Sequence, residues 1–171
     1  MLWFLYGYNP AVIFPWIYGI SFCYILLRSW QHYVLVNRVA KELQISGICH
    51  VLPSFHWFHW QFVIESEDCF YTGKIIHRQI QLEASYPKEE KNTIILATMG
   101  IDGVRAFLRF AQRIHVTCKE VADGYEVSWS DVRFSYGRKL PFGVDVRLDR
   151  EMNVISERIG WRKKSWEPPF V

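Results

Sequence analysis

No side chain between Met1 and Leu27 carries a formal charge, so all 20 Lys/Arg and all 17 Asp/Glu lie from Arg28 onward. An uncharged stretch of that length is a poor solvated surface and a good candidate for burial in something apolar. Cysteine is also scarce: Cys23, Cys49, Cys69 and Cys118 stand alone, with no CxxC pair. That excludes a disulfide framework, and free thiols suit a reducing, cytoplasmic side. HExxH, GxSxG, P-loop and GxGxxG patterns are all missing, and with them the usual signatures of metalloprotease, esterase and nucleotide chemistry. The net charge is only +3, and no basic stripe is interleaved with aromatics, so nucleic acid is not an expected partner. Internal repeats and low-complexity tracts are absent as well.

What the N-terminus does have is aromatic rings: Trp3, Phe4, Tyr6, Tyr8, Phe14, Trp16, Tyr18, Phe22 and Tyr24. Membrane interfaces favour such amphipathic rings. Asn9 can cap a helix that Pro10 begins. From Pro10 to Leu27 that helix would rise about 27 Å, against a hydrocarbon core of about 30 Å. Pro15 falls in its second turn and bends rather than ends it. A signal peptide would need a basic start and a small-residue cleavage site, and neither is present; a buried core helix is the other alternative. Arg28, Arg38 and Lys41 follow the span and favour a cytoplasmic location for what comes after. Val36, Val39, Ala40 and Leu43 make a stripe at helical spacing, so the helix continues until Gly47 offers a stop.

From Ile48 the period changes to two. Phe58, Trp60, Phe62 and Ile64 alternate with polar residues, and Glu67-Asp68 turns into a second strand over 69–76. Asp123-Gly124 joins two alternating runs, 115–121 and 125–129, in a second hairpin. A third pairs 144–148 with the segment from Val154. Between them, Asp102 can cap a helix that buries Val104, Phe107, Leu108 and Ala111 and turns Arg105, Arg109 and Gln112 outward. The expected fold class is α+β: an N-terminal transmembrane helix continuing into an amphipathic helix, then an antiparallel β-sheet domain with one main covering helix. The expected organisation is 1–44 for the membrane-spanning helix and its juxtamembrane extension, 45–162 for a cytoplasmic α+β domain, and 163–171 for a loose tail containing Pro168-Pro169.

Candidate chemistry is sparse. His56 and His59 have an i, i+3 spacing that suits a shared metal on a helix. On a strand the two rings point to opposite faces, so they are weak metal candidates. His115 with Cys118 meets the same objection, and Cys49-His50 lacks a second pair at zinc spacing. Asp131 and Arg133, i and i+2 on a strand, share a face with Trp129 and Val127 and must pair if buried, either structurally or lining a pocket. Arg105 and Arg109, one turn apart, could hold a phosphate or lipid head group, or form a solvated face. These four are the binding candidates; no residue is singled out as catalytic.

Several short motifs together resemble the C-terminal half of a bacterial family of inner-membrane metal-dependent hydrolases, described as LexA-regulated or LexA-binding. They are the helix running into the basic stretch 28–43, Leu52-Pro53-Ser54-Phe55 before the strand with Trp60, the helix Gly103 to Phe110, the strand Asp131-Val132-Arg133-Phe134, and the closing hairpin pattern of 144–160. The resemblance covers the chain from about Tyr18 onward. It implies a divalent metal cofactor, a bacterial inner-membrane location, and a lipid bilayer as partner. The family's metal-ligand histidines lie in N-terminal membrane helices, whereas no His occurs here before His32. The resemblance therefore implies a C-terminal portion that is not catalytic alone and that needs a missing N-terminal membrane half or a partner membrane protein. The alternative expectation is a non-enzymatic, membrane-tethered binding or regulatory module.

Overall fold

A computed structural model of the chain describes residues 10–54, 56–90 and 92–162. The Asn9 cap, the aromatic segment before it and the tail from Lys163 fall outside these residues. The chain divides into two compact units, one up to Gln44 and one from Ile45.

Among the described residues the first unit is one helix, α1 (Pro10–Leu43), with Pro15 inside it. It ends where Gln44 adopts a left-handed φ of 53° and its N–H donates back to the Ala40 carbonyl at 3.2 Å. Gly47, expected to stop the helix, lies three residues further on. In the last turns Val39 is buried and Leu35, Val36 and Leu43 are half-buried, while Ala40 is exposed. Arg38 Nε pairs with Glu42 Oε1 at 2.5 Å across one turn.

Among the described residues no helix is long and apolar enough to cross a membrane, which corrects the expected transmembrane span. The physical reason is dilution. Pro15, Trp16, Tyr18, Gly19, Ser21 and Tyr24 interrupt the aliphatic residues, and Arg28 closes the run. Phe14, Trp16, Ile17, Tyr18, Ile20, Phe22 and Ile25 are all exposed, so this part of α1 shows apolar side chains on every side rather than one stripe.

The second unit is α+β, as its alternating patterns predict, but it holds two antiparallel sheets rather than one. The first is a four-strand meander: β1 (Ile48–Pro53), β2 (His59–Glu65), β3 (Cys69–Ile76) and β4 (Gln79–Pro87), paired in sequence order. The second is another meander: β5 (Ile114–Val121), β6 (Gly124–Asp131), β7 (Phe142–Asp149) and β8 (Val154–Trp161). Two helices between the sheets, α2 (Thr93–Thr98) and α3 (Asp102–Phe110), lie on the second sheet, α2 against β5 and β6 and α3 against β7 and β8.

Alternation dictates the main core. Val116, Val127, Trp129, Val144 and Val146 come from one sheet face and meet Ile95, Val104 and Phe107 of the helices. Each such side chain contributes about 1.5–3 kcal/mol by leaving water. The Trp129 indole N–H donates to the Thr98 hydroxyl at 3.0 Å, which itself donates to the Ile95 carbonyl at 2.7 Å. Asn92 caps α2 by accepting from the Ile95 N–H at 2.9 Å. Asp102, expected to cap α3, is instead its first residue and pairs with Arg105 at 2.5 Å; the cap position is Ile101, which makes no side-chain bond.

The opposite face of the second sheet is polar. Asp145 there accepts two hydrogen bonds from the Arg162 guanidinium, one from Nη2 at 2.7 Å and one from Nε at 2.9 Å, and a third from the Ser128 hydroxyl at 2.7 Å. Burial pushes the Asp145 carboxyl up, but these bonds and the charges of Arg162 and Arg158 outweigh it and hold it below the usual carboxylate range. Gly143 makes room for this arrangement, because a Cβ there would meet the Trp129 carbonyl and sit 2.8 Å from Arg162 Nη2. Where the two sheets meet, Val63 and Phe70 of the first bury Val132, which follows β6 in a short 3-10 turn, Val132–Phe134.

Candidate functional site

β6 ends at Asp131, so Arg133 sits in the 3-10 turn and not two residues along a strand. The pair forms nonetheless. Asp131 has no exposed surface, and its Oδ2 accepts from Arg133 Nη2 at 2.6 Å. The same carboxylate accepts from the backbone N–H groups of Arg133 at 3.0 Å and Gln112 at 3.2 Å. Every oxygen is engaged in holding the turn and the end of α3 together, as a buried carboxylate requires. The guanidinium lies 5.5 Å from the Phe110 ring and 5.6 Å from Phe134. Arg105 and Arg109 are both exposed on α3, and Arg105 is occupied by Asp102.

The histidine pair behaves unlike a strand pair. His56 precedes β2, and the His59 N–H donates to the His56 carbonyl at 3.1 Å, closing a turn. Positions i and i+3 of a turn are neighbours, so the two rings stand 5.0 Å apart rather than on opposite faces. A third ring, His77 from the turn between β3 and β4, lies 5.7 Å from His59. Sequence spacing could not reveal it, because β2–β3 pairing brings it there.

A cleft of about 440 Å³ lies where the end of the first sheet faces the second sheet and its helices. Phe70, Met99, Leu108, Ile114, Val116 and Trp129 provide its apolar wall, and Glu65, Lys88, Glu89 and Gln112 its polar rim. Glu65 gathers two cations. Glu65 Oε1 holds Lys88 Nζ at 3.2 Å, and its Oε2 holds Arg113 Nε at 2.9 Å. Arg113 also donates from Nη2 to His50 Nε2, which therefore accepts and carries its proton on Nδ1. Burial pushes His50 below its ordinary value and the Arg113 charge adds to this, with Glu65 opposing. Lys88 Nζ additionally lies 4.8 Å over the Phe70 ring. Glu89 Oε2 accepts from the Cys118 backbone N–H at 3.2 Å. Burial raises the thiols of Cys49 and Cys118, so neither presents a reactive thiolate near neutral pH.

This cleft was not anticipated. Its residues come from β2, β3, the connection after β4, the turn after α2, α3 and the loop that follows it, β5 and β6, and only Lys88-Glu89 are neighbours in the chain. The volume falls in the range of small-molecule sites, and the wall is apolar with few polar groups, as such sites are. No nucleophile beside a base lines it among the described residues.

Comparisons with known proteins point to the YfhP family. Residues 49–86 match the YfhP middle domain, and residues 93–167 match the YfhP C-terminal alpha/beta plait domain. The first match spans the first sheet, and the second starts at α2 and runs past β8. The chain is 21% identical over 164 residues to the uncharacterized protein YfhP of Bacillus subtilis (strain 168), covering 94% of this chain and 50% of that protein. It thus spans about half the length of that relative. No solved structure matches the chain. These matches overturn the resemblance to LexA-associated membrane hydrolases, and with it both the hydrolase-portion and the membrane-tethered-module expectations. The motifs behind that resemblance were short and individually unspecific. Leu52-Pro53, the α3 segment and the Asp131–Phe134 turn answer local demands of strand ending, helix amphipathicity and ion pairing that many α+β domains share.

Proposed function

We propose that the domain formed by residues 45–162 binds a small, largely apolar molecule seated in the cleft between its sheets. One observation carries this reading: a cavity of about 440 Å³ whose apolar wall reaches as deep as Trp129 and Val116. A well-packed interior holds few voids larger than a water molecule. An open apolar cleft of this size is therefore a feature with a cost, since its lining forgoes contacts a filled core would make. The charged rim fixes the ligand class. Lys88 and Arg113 share Glu65, and Glu89 lines the same rim, so two carboxylates balance two cations and leave no surplus positive charge for a phosphate or carboxylate. A neutral or zwitterionic polar end fits it better than an anion.

The test uses the full chain and the neutral apolar probe N-phenyl-1-naphthylamine, followed through the Trp129 indole N–H resonance. That proton reports the cleft alone, which matters because α1 also exposes apolar surface. Saturable shifts of this resonance are expected, and Leu108→Trp, which fills the cleft from its half-buried edge, removes them while leaving the fold intact. If the resonance does not move, or moves equally in Leu108→Trp, the cleft is not a binding site.

A further inference from the structure

The three clustered histidines lie away from the cleft, at the end of the first sheet where β2 begins and β3 ends. We infer that His56, His59 and His77 form a site for a borderline-soft divalent transition ion of the zinc, nickel or copper type. The ring spacing is the first observation. An imidazole nitrogen sits about 2.0–2.1 Å from such an ion, which puts two rings sharing a tetrahedral ion about 5.2 Å apart, centroid to centroid. The rings of His56 and His59 are 5.0 Å apart, and those of His59 and His77 are 5.7 Å apart. Two of the three separations that one ion sets thus lie near the requirement, both of them to His59.

The second observation is backbone cost. The two-residue turn between β3 and β4 is His77-Arg78, with φ of 46° and 70°. Two positive φ values in succession define a hairpin turn that favours Asn-Gly, and non-glycine residues there are strained. A turn chosen for stability would use Asn-Gly. His77-Arg78 accepts the strain and gains an imidazole beside His59. His59 pairs with Ile76 across β2 and β3, so the strand register itself sets the third ring next to the first two. Phe58 stacks on His77 with ring centroids 6.2 Å apart.

Among the described residues no three His, Cys, Asp or Glu side chains already stand in ligating positions. Loading therefore turns the exposed rings of His56 and His77 about their own side-chain torsions, with half-buried His59 as the fixed member. Three neutral imidazoles leave a fourth tetrahedral position for water or a partner's ligand. The inference is independent of the cleft, and the failure of either leaves the other standing.

Calorimetric titration of the full chain with Zn²⁺ and Ni²⁺ tests it. One equivalent is expected to bind, His56→Ala, His59→Ala and His77→Ala each weaken it tenfold or more, and His50→Gln binds as the parent does. The double variant His77→Asn/Arg78→Gly is the sharper arm, because it restores the favoured turn. It should melt at a higher temperature than the parent while losing the same tenfold or more in affinity. Absence of binding in the parent overturns the inference. So does a double variant that binds metal as tightly as the parent, since the turn would then carry its strain for another reason.

Discussion

At the scale of single residues, the buried carboxylate of Asp131 is the most exacting feature of the domain. It is wholly removed from solvent and is neutralised by Arg133. Removing the arginine leaves a charge with two backbone donors and no counter-ion, so Arg133→Ala should destabilise folding by about 3–5 kcal/mol. Chemical denaturation measures this, and Asp131→Asn combined with Arg133→Ala should recover part of the loss, because the uncompensated charge goes. His115 provides a pH dependence. It is buried against Tyr86 with ring centroids 5.4 Å apart, and burial pushes it below its ordinary 6.5 despite the opposing Glu89 charge and Pro87 carbonyl. A base whose folded pKa is depressed takes up its proton in the unfolded chain first. Stability is therefore full above the unfolded value and falls as pH drops below it. Melting temperatures should decline from pH 7.5 to 5, with His50 contributing in the same direction. His115→Gln should flatten the decline; an unchanged slope would remove His115 from the account.

Elements show how local rules and packing divide the work. Helix α2 is only six residues long, and its Asn92 cap supplies one of the few bonds that define its start. Asn92→Ala should cost about 0.5–2 kcal/mol. The Gly143 position in β7 carries a different constraint: any side chain meets the Trp129 carbonyl and the Arg162 guanidinium. Gly143→Ala should cost about 1–3 kcal/mol as an overpacking change, and should weaken the Arg162–Asp145 contact that anchors the end of β8. Hydrogen exchange of β8 amides reads this directly, with faster exchange expected there than in β6. In α1, exposed Trp16, Ile20 and Leu27 lie among apolar neighbours and form a surface larger than scattered exposure would give. Replacing Ile20 and Leu27 by lysine should reduce concentration-dependent association in sedimentation while leaving the melting of the sheets unchanged.

For the molecule as a whole, the second unit behaves as one cooperative body if the junction of its sheets is as tight as Val132 indicates. This valine has no exposed surface and is enclosed by Val63 and Phe70 of the other sheet. The Arg113–Glu65 pair bridges the same junction. Val132→Ala should cost about 2 kcal/mol of buried apolar surface and lower exchange protection in both sheets together. Loss confined to one sheet would show that they unfold separately.

Much of this was legible from residue order. Alternation and the Asp123-Gly124 signal predict three hairpins close to their observed limits, with the second turn one residue earlier, at Ala122-Asp123, and Gly124 opening β6; the register of a hairpin is set by neighbouring residues and their turn. The uncharged, aromatic character of the first 27 residues was equally plain. Its meaning was not, since spanning a bilayer depends on the apolarity of the whole run. The cleft escaped notice because its wall gathers side chains from β3, the turn after α2, α3, β5 and β6, which become neighbours by tertiary packing alone. His56 and His59 were visible, but their approach depends on a turn rather than a strand, and His77 joins them through cross-strand register. Sequence by itself therefore determined the α+β class, the hairpins and the buried faces, all consequences of short-range periodicity. Tertiary structure alone decided the separation into two sheets, the cleft between them and the meeting of three histidines, because each depends on contacts between residues far apart in the chain.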